Sequence, residues 1–165
     1  MIESRTSRLV AIAVATSLVA TVALATDPRF TLEEADGDTT VFDDQTNLEW
    51  QREPDTVGGH TWVEALGYCE SLVFGGHDDW RLPNPMELST LVDEIATSGP
   101  AINTTFFVAS SFSTIAFWTS TTNPKNPGNT YTVRFNDFST IYDGGGVLTQ
   151  DKGTLALALC VRYAP

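Results

Sequence analysis

Basic side chains are scarce in this 165-residue chain: Lys and Arg number 9 against 21 Asp and Glu, giving a formal net charge of -12. Such a surface repels phosphate backbones, which excludes nucleic-acid binding and disfavours anionic membrane surfaces. Cysteine is scarcer still, with two residues. That permits one disulfide and excludes both a disulfide-dense miniprotein and a Cys-rich zinc site. Only two histidines are present. His60 and His77 stand apart among glycines, not at helical i, i+4 spacing, so they give no frame for zinc. No Gly-x-Ser-x-Gly elbow, no Gly-x-y repeat and no low-complexity linker occurs. What remains is 42% hydrophobic and only 18% charged, enough for one globular core and too apolar for disorder.

The one long apolar run lies at the start. Arg5 and Arg8 precede a Leu, Val, Ile and Ala stretch that ends in Ala23-Leu24-Ala25. Positive flank, apolar centre and small residues at the cut predict a signal peptide over 1–25. The alternative, an uncleaved anchor, needs a longer apolar span. Thr26 follows the cut where a lipoprotein would need Cys. The expectation is a secreted or periplasmic protein with one domain over 26–165 and no membrane span after cleavage. In that oxidising compartment Cys69 and Cys160 are expected to pair, the alternative being two buried thiols.

Alternating apolar and β-branched stretches predict strands at 30–32, 40–42, 48–51, 115–120, 131–135, 140–142 and 157–163. Thr61-Trp62-Val63-Glu64 reads as a capping box opening a helix whose stripe is Trp62, Leu66, Cys69 and Val73, stopping by Gly75-Gly76. A second helix opens at Asn84 with Pro85 at its first position and Glu87 third, and buries Leu88, Leu91, Val92 and Ile95 until Ser98-Gly99-Pro100. Helices in the first half and hairpins in the second predict an α+β fold: two helices packed on antiparallel β-hairpins.

One series of short motifs carries more information than any single piece. Leu48-Glu49-Trp50 is followed by Tyr68-Cys69-x-x-Leu72 and then by Trp80-Arg81-Leu82-Pro83. After these come Glu87-Leu88-x-x-Leu91, Phe117-Trp118-Thr119-Ser120 and Cys160-Val161-Arg162. In this order they resemble the bacterial DUF1566 family, also called the Lcl C-terminal domain after a collagen-like adhesin of Legionella. The resemblance implies a C-type-lectin-like fold in a secreted or surface domain, with a Cys69–Cys160 bridge tying the first helix to the last strand. It places ligand contacts on the loop-rich half from Trp118 to about Gln150. The name-giving member binds sulfated polysaccharides. This chain lacks collagen repeats, and its loop half offers only Lys125, Arg134 and Lys152 as cations, a poor match to a polyanion.

The expected function is therefore a non-enzymatic ligand-binding or adhesion domain for an extracellular glycan or protein. Aromatic candidates for the contact are Trp118, Tyr131 and Tyr142. Polar candidates are Ser120, Asn123, Lys125, Asn126, Asn129, Asn136 and Asp137. Asn, Ser and Tyr supply adaptable hydrogen bonds and rigid contact area on loops. Trp50, Trp62 and Trp80 are assigned to the core, and Arg81 to a fork on a carboxylate such as Asp79. Asp36, Asp38, Asp43 and Asp44 supply oxygens but no twelve-residue calcium loop, so neither a metal nor a cofactor is expected. An envelope assembly component is the alternative function. A hydrolase or modifying enzyme is the second alternative, for which no acid–base pair can be named.

Overall fold

The computed structural model describes residues 29–112, 116–135 and 146–165. The leader assigned to 1–25 and the strand expected at 140–142 lie outside them. Among the described residues there are nine strands in two sheets. β1 (Phe30–Ala35), β2 (Asp38–Asp43), β3 (Leu48–Gln51) and β9 (Val161–Tyr163) form an antiparallel sheet in the order β1-β2-β3-β9. β4 (Asp55–His60), β5 (Ala116–Thr122), β6 (Asn129–Arg134), β7 (Gly146–Asp151) and β8 (Ala156–Ala158) form the second, in the order β4-β8-β5-β6-β7. Only the β5–β8 pair is parallel.

Local chemistry accounts for the turns. Asp36 and Gly37 both have positive φ, 53° and 87°, between the paired residues Ala35 and Asp38. A two-residue hairpin of the type I′ kind needs that conformation at both positions, and Asp-Gly supplies it at low cost. Gly75 and Gly76 make the same kind of turn inside the Phe74–His77 bridge.

The expected α+β architecture of two helices on hairpins, and with it the C-type-lectin-like arrangement, is corrected: the described residues are mostly β. Among the described residues one helix exceeds two turns, α1 (Trp62–Glu70). Its start follows the sequence, with the Thr61 N–H and Oγ1 both donating to Glu64 Oε2 at 2.8 and 2.7 Å. It ends at Glu70, short of Gly75, where the Ser71 hydroxyl turns back onto the Gly67 carbonyl at 2.8 Å. Val73, placed on the buried stripe by its spacing, is exposed. The second helix, α2 (Pro85–Ser89), is barely more than one turn. Its Asn84–Glu87 capping box forms in both directions, at 2.9 and 2.8 Å. Beyond Thr90 the Asp93 side chain accepts the Ile95 N–H at 3.1 Å, and the Asp93 N–H goes to the Ala101 carbonyl. Such local side-chain bonding competes with the helix ladder. Ile95, expected on the core face, is 87% exposed.

Two cores flank the second sheet. Phe117, Val133 and Leu157 on one face join Trp50, Val41 and Val161 of the first sheet, with Phe106, Phe107 and Phe112 of the intervening loop. On the other face Trp118, Ala156 and Ala158 pack beneath α1 through Ala65 and Cys69, beside Trp80 and Leu82. Strand alternation produces this division, since successive side chains point to opposite faces. The stretch expected as one strand over 157–163 splits at Leu159-Cys160. β8 enters the second sheet and β9 crosses to the first. Cys160, at the crossing, is bonded to Cys69 of α1.

Candidate functional site

The motif residues converge below the surface rather than on it. Arg81 forms a two-pronged fork on Glu87, with both bonds at 2.8 Å, and its guanidinium lies 4.8 Å from the Tyr163 ring centre. Glu87 accepts the Asn84 N–H with the same carboxylate. The expected partner of Arg81, Asp79, is instead held by Arg162 at 2.6 Å. Arg162 also bonds Glu49, whose second oxygen accepts the Thr40 hydroxyl at 2.6 Å. The main chains of Arg81 and Val161 bond each other in both directions at 2.9 Å, so the Trp-Arg-Leu-Pro and Cys-Val-Arg motifs form one bridge. Gln51 closes the same region. Its Oε1 accepts the Cys160 N–H at 2.9 Å and its amide donates to the Tyr68 hydroxyl at 3.1 Å. Burial pushes the Tyr68 hydroxyl up in pKa. These groups satisfy buried polar atoms and hold the loops in place.

The electrostatics follow from these contacts. Burial opposes the charge of Arg162, but its bonds to Asp79 and Glu49 outweigh that and raise its pKa. Burial likewise works against ionised Glu87 and Asp43, yet the Arg81 fork on the first and the Arg29 fork on the second hold both carboxyls below their ordinary values of 4.5 and 3.8. A carboxylate with a lowered folded pKa contributes stability above its unfolded value and loses it as pH falls through the folded one. The urea midpoint is therefore expected to hold from pH 7 to about pH 5 and to drop progressively below about pH 4. Glu87→Gln is expected to lower the midpoint at pH 7 and to shallow the acid fall, read by urea titration at several pH values. An acid limb unchanged by that substitution would count against the fork as its origin.

The candidate ligand face is the β5–β6 hairpin. Its tip is shaped by its own asparagines: Asn123 Oδ1 accepts the Lys125 N–H at 2.9 Å and Asn126 Oδ1 accepts the Gly128 N–H at 3.3 Å. The Asn123 N–H reaches the Asn129 carbonyl at 2.9 Å, closing the tip. Ser120, Lys125 and Asn126 are exposed, while Asn123, Asn129 and Tyr131 are half-buried. The Ser120 N–H bonds the Pro83 carbonyl at 2.8 Å, which ties the hairpin to the loop before α2. A bulge in β5 between Trp118 and Thr122 faces Tyr131, whose carbonyl accepts the Thr119 hydroxyl at 2.7 Å. Trp118 does not belong to this face. It is fully buried, and its indole N–H donates to the His60 carbonyl at 2.7 Å. Asn136, Asp137 and Tyr142 lie outside the described residues. Cys69 and Cys160 form the expected disulfide.

Other groups that suggested chemistry are engaged in the scaffold. His60 Nε2 lies 2.7 Å from Asp55 Oδ2, and its ring stacks on Tyr68 at 5.2 Å. Lys152 sits 3.9 Å above the Trp62 ring and donates to Thr122 Oγ1 at 2.8 Å. No group of three or more His, Cys, Asp or Glu able to hold a metal occurs among the described residues. Sequence reasoning missed one surface feature, a shallow apolar depression lined by Thr46, Leu48, Met86, Glu87, Thr90 and Tyr163. Its only sequence signal is the pair of isolated side chains Met86 and Tyr163, which no periodicity places together.

A search of curated proteins and of solved structures finds no match. The sequence model of the Lcl C-terminal domain matches residues 39–162, which take in the second sheet, all of the first but its edge strand β1 and single terminal residues of β2 and β9, the disulfide and every motif of the bridge described above. The chain belongs to the Lcl C-terminal domain family.

Proposed function

We propose that this protein is an exported, non-enzymatic binding domain of a bacterial envelope or its surroundings, which recognises a glycan or protein through the β5–β6 hairpin. The observation that carries this reading is the contrast between the bridge and the hairpin. The ionisable and thiol groups that the motifs supply, Arg81, Glu87, Asp79, Arg162 and the two cysteines, are engaged in forks, a cap and the disulfide. The hairpin instead presents Ser120, Lys125 and Asn126 to solvent on a tip made rigid by its own side chains. A rigid element bearing exposed polar groups loses little conformational freedom on binding. The leader-like start and the buried disulfide fit an oxidising compartment. No helix among the described residues is long and apolar enough to cross a membrane.

The test is a glycan array and an affinity capture with the exported protein, repeated with Ser120→Ala, Lys125→Ala and Tyr131→Ala combined. Binding is expected to weaken about tenfold or more, the loss of one or two good contacts, with an unchanged melting temperature. A saturable ligand whose affinity is the same for both proteins would remove the hairpin from the reading.

A further inference from the structure

The two sheets end in four edge strands among the described residues: β1, β4, β7 and β9. β4 is broken by an irregularity between Asp55 and His60, and β9 is met at Val161 by the bridge to Arg81. Bulges and covering segments are usual defences of an edge. β1 and β7 are regular, six residues long, and have no strand outside them among the described residues. Their open main-chain groups follow from the ladders, because alternate residues of an antiparallel strand bond one neighbour and the rest face the other way. The Lys152 N–H bonds the Gly128 carbonyl in line with the β6–β7 register, so Gly146, Leu148 and Gln150 bond β6. The main chains of Val147 and Thr149 therefore face outward. The Asp44 N–H bonds the Arg29 carbonyl in line with the β1–β2 register, so Thr31, Glu33 and Ala35 bond β2. The main chains of Phe30, Leu32 and Glu34 face outward.

Side chains divide the same two strands by face. Val147 stands beside Val133 and Leu32 beside Val41, and both of these neighbours belong to the core shared by the sheets. Val147 and Leu32 thus lie on that core's side, yet they are 47% and 39% exposed. On the opposite face Gly146 stands beside Arg134, whose Nε is buried without a hydrogen-bond partner. Glu33 lies on the corresponding face of β1, since it alternates with Leu32. Neither Arg134 nor Glu33 makes an ion pair among the described residues. A Cβ built on Gly146 would meet nothing within 4 Å, so the space over it is open.

We propose that β7 of one copy pairs antiparallel with β1 of a second copy, with Gly146 opposite the second copy's Glu33. Val147 then meets Leu32, Leu148 meets Thr31, and Thr149 meets Phe30 of the second copy. The outward main chains of Val147 and Thr149 fall opposite those of Leu32 and Phe30, so each pair exchanges N–H···O bonds. Opposed residues share a face: the Val147–Leu32 pair lies on the core side, and Arg134, Gly146 and Glu33 form one row on the other. Strands lie about 4.8 Å apart, so Arg134 and Glu33 are about 10 Å apart at their backbones, a gap their side chains close over the bare glycine. No like charges face each other, because Gln150 meets Arg29 and Glu34 falls beyond the end of β7. A shift that brings Ala35 opposite Gly146 would set Glu33 against Leu148 and Glu34 against Val147, losing both the charged and the apolar match. Charge complementarity therefore singles out a second copy and one register. The contact is heterologous, so it repeats head to tail from copy to copy. It buries less than the roughly 1,200 Å² of a stable interface, and the net charge of -12 opposes it, so the association is reversible and concentration-dependent.

Sedimentation equilibrium of the exported protein at about 150 mM salt tests this, with Arg134→Glu, Glu33→Arg and the double exchange beside the wild type. Wild type is expected to associate over the micromolar to millimolar range. Each single substitution puts like charges in one row and is expected to raise the dissociation constant about tenfold or more. The double exchange restores opposite charges and is expected to return it to within about threefold of wild type. A loss caused only by damage to the fold would not be recovered by the second exchange, and the melting temperature of each variant is recorded beside it. Glu34→Arg changes the net charge as Glu33→Arg does but lies off the row, so it is expected to leave the constant within about threefold. Thr149→Pro removes an outward N–H that bonds no strand of its own copy, at an edge position where proline is tolerated. It is expected to abolish association with little change in melting temperature. Wild type that stays monomeric, a double exchange as weak as the singles, an equal effect from Glu34→Arg, or association that survives Thr149→Pro would each overturn the proposal.

Discussion

Removing the disulfide by Cys69→Ala with Cys160→Ala is expected to lower unfolding stability by about 4–5 kcal/mol, the chain-entropy value for so long a loop. The bridge closes a sequence separation of 91 residues and joins α1 to the point where the chain leaves the second sheet. Both cysteines are fully buried. Alanine replaces each without placing a new hydroxyl in the core, so the measured change reports the lost closure and a small cavity. Urea unfolding followed by tryptophan fluorescence reads it, because Trp80 and Trp118 lie in the same core as the bridge. A domain of this size has a total stability of only 5–15 kcal/mol, so the variant is expected to be partly unfolded at 37 °C. A loss below about 1 kcal/mol would mean that the bridge constrains little in the unfolded chain. The same shielding predicts slow reduction of the native protein by dithiothreitol, with a rate that rises with urea.

The second large effect belongs to Arg162→Met. That substitution leaves Glu49, 4% exposed, without its counterion, and frees Asp79 at the surface. Stranding a buried carboxylate costs about 3–5 kcal/mol. Glu49→Met combined with Arg162→Met removes both charges, and it is expected to be less destabilised than Arg162→Met alone. The Thr40 hydroxyl then loses its acceptor, so recovery is expected to stop short of wild type. A double variant no more stable than the single would show that packing of the Arg162 stem, not charge, dominates. Asp79→Ala, at the half-exposed end of the chain of contacts, is expected to cost under about 1 kcal/mol.

What could be read from the sequence was chemistry confined to a few neighbouring residues. Thr61 with Glu64, and Asn84 with Pro85 and Glu87, gave both helix starts, because a cap is a matter of three or four positions. The strand centres at Val41, Trp50, Phe117 and Val133 were legible from alternation. Helix extent was not. Val73 and Ile95 extend the apolar spacing, but Ser71 and Asp93 divert the backbone by bonds that spacing does not encode. β4 escaped notice because its Gly58-Gly59 pair reads as loop, although both glycines adopt positive φ inside an irregular edge strand. Trp118 was misplaced for a similar reason. It opens the loop-rich half of the chain, yet its ring lies buried under α1, and the irregularity in β5 between Trp118 and Thr122 leaves Ser120 facing solvent. The long-range partners of Arg81 and Arg162 were equally hidden, since many carboxylates were available and only the folded bridge selects among them.

The tail of the chain has a consequence for the order of events in biosynthesis. Residues 156–163 place β8 between β4 and β5 and append β9 to β3, so neither sheet is whole until they arrive. A ribosome that has delivered everything up to residue 150 has made a polypeptide with no route to its mature shape. Folding of both sheets is therefore coupled to the arrival of the last few residues.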